Sequence, residues 1–283
     1  MILIYHSVNN GGFIPFISVN IKLFEKQMRF LSKNFRVGSI YDYINGKCNI
    51  SITFDDGYKD NYTNAYPILK KYGLTATFFL TTGLIGTKKS KWDDKIIYLI
   101  NKTGKKSIIL DKVSYSPENK KEFTKKLIIS LNNKTKDYKE HILNQIIEQL
   151  GDVEEEIMMS WDNVKEMSEN NMHFGSHTVS HPNLAKISSK EAENEIIVSK
   201  KAIEEKINKK IDLFSYPYGN VSDIIEDVVE LLKKNGFICG LTNGYETNDG
   251  FSIARYGPPR NLFLFKIKTK YPHLYHKIRK LAK

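Results

Sequence analysis

Ser51-Ile52-Thr53-Phe54-Asp55-Asp56-Gly57 decides the reading of this 283-residue chain. β-forming residues run into two adjacent carboxylates and a glycine, the pattern of a strand that ends in a turn. Alone, Asp-Asp-Gly reads equally well as an ordinary turn whose carboxylates cap backbone N–H groups while the glycine takes positive φ. Far downstream, His177-Thr178-Val179-Ser180-His181 supplies two imidazoles one helical turn apart. Such a pair by itself is more often solvated or core histidine than ligand. Together, an acidic pair at a strand's C-terminal end and a His-x-x-x-His equip a chain for one divalent metal with a spare carboxylate as base. That combination reads as metal-assisted hydrolysis.

Outward from this stretch the chain alternates strand and helix. Leu3 to Tyr5 reads as a strand, Phe24, Met28 and Leu31 mark an amphipathic helix, and Ile50 to Phe54 is the next strand. A helix with Tyr62, Tyr66 and Leu69 on one face stops at Gly73, and Thr75 to Leu80 is β-rich. After Ser160 the rhythm resumes, with a helix around Val164 and Met167 and a strand at Met172 to Phe174. A capping box of Ser188 and Glu191 opens a helix whose Ala192, Ile196, Ile203 and Ile207 face the core. Strand Leu213 to Tyr216, a helix capped by Ser222 and ended by Gly236, and strand Phe237 to Leu241 follow. Alternating βα units argue for a parallel sheet closed into a barrel, with the motif residues at strand C-termini. Between about residues 86 and 160 a Lys- and Asn-rich stretch breaks the rhythm and reads as a helical insertion over the barrel's mouth. Trp92 at its start reads either as a sugar platform or as an anchor of the insertion to the barrel.

Thr-Phe-Asp-Asp-Gly, Gly-Ser-His-Thr-x-Ser-His-Pro and Phe214-Ser215-Tyr216-Pro217-Tyr218-Gly219, in this order, resemble the first three motifs of the polysaccharide deacetylase family. These are the NodB-homology proteins, or family 4 carbohydrate esterases, and the resemblance runs from His6 to about Arg255. It implies a single distorted (β/α)7-type barrel over residues 1 to 260. It makes Asp56, His177 and His181 the metal ligands, Asp55 the catalytic base and the Tyr218 backbone N–H an oxyanion donor. The implied cofactor is one divalent ion, zinc first, with cobalt, nickel or manganese as alternatives. Three nitrogen and oxygen ligands leave a position for water, whose pKa such an ion lowers towards about 7. Neighbouring carboxylates on an extended backbone project to opposite sides, so one can bind metal while the other faces substrate. Pro217 fixes the third-motif turn and Gly219 permits it. Thr178 and Ser180 read as side-chain supports for the histidine loop or as ordinary loop residues.

Two departures from the family pattern stand out. The third motif carries an arginine two residues before its proline, and here that position is Ser215. The fifth-motif strand, ending in Leu-x-Leu-His, has no match near the C-terminus, where His273 and His276 sit among lysines. Ile2-Leu3-Ile4-Tyr5-His6 at the N-terminus, however, is a strand ending in Leu-x-Tyr-His. That order resembles the permuted, poly-N-acetylglucosamine deacetylase-like branch, in which this strand opens the domain, and it makes His6 the general acid. A buried strand-end histidine is the plainer reading of His6. Arg255, in Ser252-Ile253-Ala254-Arg255-Tyr256, is the candidate replacement for the missing arginine, against a simple ion pair.

Cys48 and Cys239 are too few for a disulfide scaffold and read as small buried hydrophobes. Met1 to Tyr5 lacks a basic segment ahead of its apolar run, and no 18 consecutive apolar residues occur. The expectation is therefore a cytoplasmic enzyme. Of the +11 net charge, a large share lies in residues 261–283, a basic amphipathic tail without an acid. It reads as a docked terminal helix or as a peripheral contact with the inner membrane face. No nucleic-acid motif accompanies the charge. The expected function is removal of N-acetyl groups from amino sugars of a bacterial glycan or its lipid-linked precursor. O-acetyl ester hydrolysis at the same site and a catalytically inactive glycan-binding module are the alternatives.

Overall fold

The computed structural model describes residues 1–11, 17–116, 119–132, 134–152, 156–244 and 250–275. Residues 276–283, the end of the basic tail, with His276 among them, lie outside the described residues. The chain forms two compact units: Met1–Asn10, Ile17–Thr87 and Met158–Lys283 make one, and Gly11–Phe16 with Lys88–Ile157 the other.

The first unit is a closed barrel of seven parallel strands surrounded by helices. They are β1 (Ile2–Tyr5), β2 (Ile50–Phe54), β3 (Thr77–Leu80), β4 (His173–Ser176), β5 (Leu213–Ser215), β6 (Cys239–Asn243) and β7 (Ile253–Tyr256). Each pairs with the next in chain order, and β7 pairs back onto β1, with Ile2 opposite Arg255 and Leu3 opposite Tyr256. The chain's first strand thus closes the ring. Around it run α1 (Ile21–Asn34), α2 (Ile40–Ile44) and α3 (Tyr66–Lys71).

Alternation along each strand builds two cores. One set of side chains fills the barrel's interior near the strand starts, where Ile2, Phe79, Leu213, Cys239 and Leu241 close around Ile40 of α2. Gly175 is required there, since a Cβ would stand 2.4 Å from the Phe79 ring. The other set faces the helices as an aromatic layer, Phe54 stacking on Phe78 at 4.8 Å and on Tyr5 at 5.4 Å, with Phe24 of α1 edge-on to Tyr5. Each such pair adds about 0.5–1.5 kcal/mol beyond its area. Both cysteines are free and buried, and burial pushes the Cys239 thiol up to about 12.

The second unit, described by itself, contains α4 (Trp92–Lys102), a hairpin of Ile108–Leu110 against Val113–Tyr115, α5 (Lys120–Leu131) and α6 (Lys136–Leu150). Its core gathers Ile96, Leu99, Ile100, Leu131, Ile142 and Ile146. Trp92 packs against that core, and Lys139 lies 4.9 Å over its ring, so the indole is no open platform.

The first unit resumes with α7 (Trp161–Glu169), α8 (Ser189–Ile207), α9 (Glu226–Lys234) and α10 (Leu262–Lys270). Ser188 and Glu191 form the capping box of α8. Ser222, expected to cap a helix, instead sits within the short 3-10 turn Val221–Asp223, where Asp223 accepts from the Asn220 N–H, and α9 starts only at Glu226. The Ser222 hydroxyl donates to Asp223 Oδ1 at 3.4 Å instead of accepting from a helix N–H. The helix through Tyr62 and Tyr66 opens as a π-turn, Asn61–Ala65, before α3.

Candidate active site

The candidate residues gather at or near the strands' C-terminal ends. Asp55 and Asp56 follow β2, His177 follows β4, His6 follows β1, Ser215 ends β5 and Arg255 lies within β7. The backbone after Phe54 is not extended. Asp56 adopts φ +74° and Gly57 +88°, so a turn, rather than strand alternation, separates the two carboxylates. Left-handed backbone at non-glycine residues is uncommon and persists where surroundings enforce it. Here it recurs at Thr178 (+68°), His181 (+61°) and Tyr218 (+64°), all in the same site.

Asp56, His177 and His181 offer three donor atoms within 4.8 Å of one another. Asp56 Oδ1 lies 3.6 Å from His177 Nε2 and 3.5 Å from His181 Nε2. Two ligands of one tetrahedral ion, each at about 2.1 Å, sit roughly 3.4 Å apart, so the spacing fits a shared metal. The Nδ1 of His177 is 2.7 Å from the Ser215 carbonyl and must donate its proton there, which leaves the Nε2 lone pair facing the cluster. A carboxylate and two imidazoles are a donor set suited to zinc-like ions.

The histidine loop is held from three sides. Thr178 Oγ1 accepts from the His181 N–H at 3.0 Å. The Thr82 and Gly83 N–H groups, at 3.1 and 2.9 Å, donate to the carbonyls of Thr178 and Val179. Glu195 of α8 accepts from the N–H groups of Val179 and Ser180 at 2.7 and 2.9 Å and from Ser180 Oγ at 2.7 Å. Ser180 therefore bonds a carboxylate rather than backbone. Glu195 carried no motif signal, because it sits in an ordinary amphipathic helix.

Asp55 is buried with Arg255. The guanidinium donates to both carboxylate oxygens, Nη1 to Oδ1 at 2.6 Å and Nη2 to Oδ2 at 2.7 Å. Ser215 completes the group: its Oγ accepts from Arg255 Nη2 at 2.7 Å and donates to Asp55 Oδ2 at 3.1 Å. Burial pushes the Asp55 carboxyl up, but the charge of Arg255 and the bonds from it outweigh that. The net direction is downward, and Asp55 is ionised at neutral pH.

Tyr218 is the middle of a three-residue turn closed by the Gly219 N–H donating to the Pro217 carbonyl at 2.8 Å. Asn243, at the end of β6, clamps that turn: its N–H and Nδ2 donate to the carbonyls of Gly219 and Tyr218 at 2.9 and 2.6 Å. The Tyr218 ring packs edge-on against His181, centroids 5.0 Å apart. Around His6, the Asp60 carboxylate accepts from Ser7 Oγ at 2.5 Å and Asn9 Nδ2 at 3.0 Å. Asn61 Nδ2 donates to the His6 carbonyl at 2.7 Å. Neither Asp60, Asn61 nor Asn243 was legible as a site residue, since each acts through groups far away in sequence that only the barrel brings close.

The polysaccharide deacetylase family model matches residues 43–237. The chain belongs to that family. Over 251 residues it is 26% identical to YxkH of Bacillus subtilis (strain 168), covering 85% of this chain and 63% of that relative, so it spans less than two-thirds of YxkH. The deacetylase PplD of Streptococcus pyogenes, solved in complex with acetate, superposes with a TM-score of 0.59 at 19% identity, with 92% of each chain covered. IcaB from Ammonifex degensii superposes at 0.59 with 18% identity, over 97% of this chain and 94% of IcaB. At these identities the likeness to the solved structures is one of fold. As in the permuted deacetylases, the strand that closes this barrel comes first in the chain.

Proposed function

We propose that this chain is a metal-dependent deacetylase that removes N-acetyl groups from amino sugars of a bacterial glycan or its lipid-linked precursor. The observation that carries the reading is the division of labour between neighbouring carboxylates. Asp56 faces two imidazole nitrogens at 3.5 and 3.6 Å, while Asp55, although its Oδ2 is 3.8 Å from His177 Nε2, has both oxygens bonded by Arg255 and Ser215. A divalent ion held by Asp56, His177 and His181 would supply Lewis acidity and a water acidic enough to ionise near neutrality.

This chain's own residues do the rest. Asp55, kept ionised by Arg255, takes the proton of the water whose oxygen attacks the acetamide carbonyl carbon. The Tyr218 N–H, fixed by the turn that Asn243 clamps, donates to the carbonyl oxygen as it gains charge. His6, seated by Asn61, gives a proton to the departing nitrogen as the C–N bond breaks, leaving acetate and the free amine. No helix of the described residues is long and apolar enough to cross a membrane.

The test is release of amine and acetate from N-acetylglucosamine oligomers, lipid-linked saccharides and O-acetyl esters, with and without added zinc, cobalt, nickel or manganese. Metal-stimulated amine release supports the reading. Acetate without amine, from esters alone, replaces it with ester hydrolysis, and no release from any substrate leaves a glycan-binding module.

A further inference from the structure

The outward face of α1 is a single ladder of cations. Phe24, Gln27, Met28 and Leu31 point into the core, and the opposite stripe, at i, i+4, i+7 and i+11, is Lys22, Lys26, Arg29 and Lys33, all exposed. Their one acidic neighbour on the helix, Glu25, is engaged elsewhere, with Lys71 at 2.6 Å. α10 lies alongside. Phe265 meets Phe30 of α1 with ring centroids 6.2 Å apart, and Lys266 and Lys270 reach over the same Phe30 ring at 5.5 and 5.4 Å. Both lysines are exposed, and none of these six cations has an ion pair among the described residues. Residues 251–283 contain no acid at all, so nothing in that sequence neutralises the face.

Large apolar groups stand beside the charges. Phe263, one turn before Lys266 on the same stripe of α10, is 68% exposed, and Tyr271 and Leu274 just beyond the helix are 60% and 47% exposed. Phe265, Lys268 and Thr269 are turned inward, so the outward orientation of Phe263 is fixed by the helix's packing. Both helices begin near the mouth, since α1 follows β1 and α10 follows β7, and Gln27 Nε2 ties the loop before α10 to α1 through the Pro259 carbonyl at 3.1 Å.

We infer that the joint face of α1 and α10 docks on an anionic phospholipid bilayer, its cations among the headgroups and Phe263 in the interface. The chemistry is that of interfacial helices: basic side chains attracted by surface potential, with an aromatic group to bury at the headgroup boundary. The inference goes beyond the proposed hydrolysis and does not depend on it, because it concerns where the barrel sits and not what it cleaves. It also extends the candidate membrane contact from the terminal tail, which sequence left open between a docked helix and a peripheral attachment, to a face built largely by α1.

Sedimentation of the full chain with vesicles of phosphatidylglycerol and phosphatidylcholine, against phosphatidylcholine alone, tests it. Binding is expected only with the anionic lipid and should disappear in molar salt. Changing Lys22, Lys26, Arg29 and Lys33 together to Gln should lower partitioning at least a hundredfold, at about fivefold per charge near the surface. Phe263→Ser should weaken it several-fold, and removal of residues 276–283 should leave substantial binding. Thermal unfolding checks that the variants fold, and single Lys26→Glu and Arg29→Glu changes serve if the fourfold variant does not. The inference is overturned if the full chain ignores anionic vesicles at low salt, if the α1 variants bind undiminished, or if loss of residues 276–283 alone abolishes binding. Equal retention on duplex DNA would also overturn it in favour of a nucleic acid.

Discussion

Arg255 and Asp55, 200 residues apart in the chain, meet inside the barrel through two hydrogen bonds of 2.6 and 2.7 Å. Ser215 stands where the family's third motif carries an arginine, and its small side chain leaves that space to Arg255 Nη2, 2.7 Å from Ser215 Oγ. The guanidinium reaches Asp55 from β7. We propose that it supplies there the charge that the family resemblance places on β5.

Removing that charge should be costly in two measurable ways. Arg255→Gln leaves a buried carboxylate without its main counter-charge, a loss of about 3–5 kcal/mol in unfolding experiments. The Asp55 carboxyl is held below its ordinary value, so its stabilisation is present above the unfolded value and is lost as pH falls through the folded one. In Arg255→Gln burial acts unopposed by that charge, and the acidic limb of the kcat/KM profile should move to higher pH. Moving the arginine back, as Ser215→Arg with Arg255→Ser, should recover more activity than Arg255→Ser alone. An unshifted limb would show that Arg255 does not act on Asp55.

The two aspartates should separate in metal titrations. Asp55→Asn should abolish turnover with the metal still bound, because a base is removed and no ligand is lost. Asp56→Asn should weaken metal affinity itself, measured by calorimetry on the metal-stripped protein. Equal loss of metal from both variants would contradict the assignment.

Glu195 should matter although it touches no donor atom. Its carboxylate fastens the Val179 and Ser180 N–H groups between the two histidines. Glu195→Ala frees that loop, and metal affinity should fall about 10- to 100-fold, the range seen when supporting groups of a metal site are removed. Glu195→Gln, which keeps one acceptor, should fall less. Unchanged affinity in both variants would leave the loop's shape to Thr178 and residues 82–83 alone.

His6→Ala should lower kcat by about 10²- to 10⁴-fold. Asp60→Asn, which loosens the Ser7 and Asn9 contacts beside His6, should lower kcat less and add little on the His6→Ala background. Burial, opposed by bonds from Ser7 and Asn9, holds the Asp60 carboxyl above its ordinary value. A group held so binds its proton more tightly in the fold, so its stability contribution is full below the unfolded value and is lost as pH rises through the folded one. The thermal midpoint of the wild type minus that of Asp60→Asn should accordingly be larger at about pH 4 than at neutrality. A pH-independent difference would remove Asp60 from this role.

Most of the barrel was legible because strand and helix periodicity, with Gly73 and the Ser188 and Glu191 box as punctuation, are written locally. Boundaries shifted by one or two residues: β4 begins at His173 and β6 at Cys239, each later than the apolar runs suggest, because a run of apolar residues does not mark where backbone pairing starts. The second unit's hairpin escaped notice because its strands are three residues long, and α4 because its Lys91 N-cap makes no side-chain capping bond. Ser222 looked like a cap because the sequence does not show which of several polar residues wins an N–H.

Sequence alone determined the inventory of chemistry: two carboxylates after a strand, two imidazoles four residues apart, a histidine after the first strand and a serine where an arginine belongs. Local order also determined the βα rhythm, since side-chain periodicity is a property of consecutive residues. Tertiary structure decided which of these groups meet. Barrel closure brings β1 between β7 and β2, and with it His6, Asp55 and Arg255 to one rim. Left-handed turns at Asp56, His181 and Tyr218 then aim the groups, and such conformations, uncommon for residues with a Cβ, are held by contacts from Asn243, Glu195 and Thr178. No run of adjacent residues encodes those contacts, because they exist only between strand ends that closure has made neighbours.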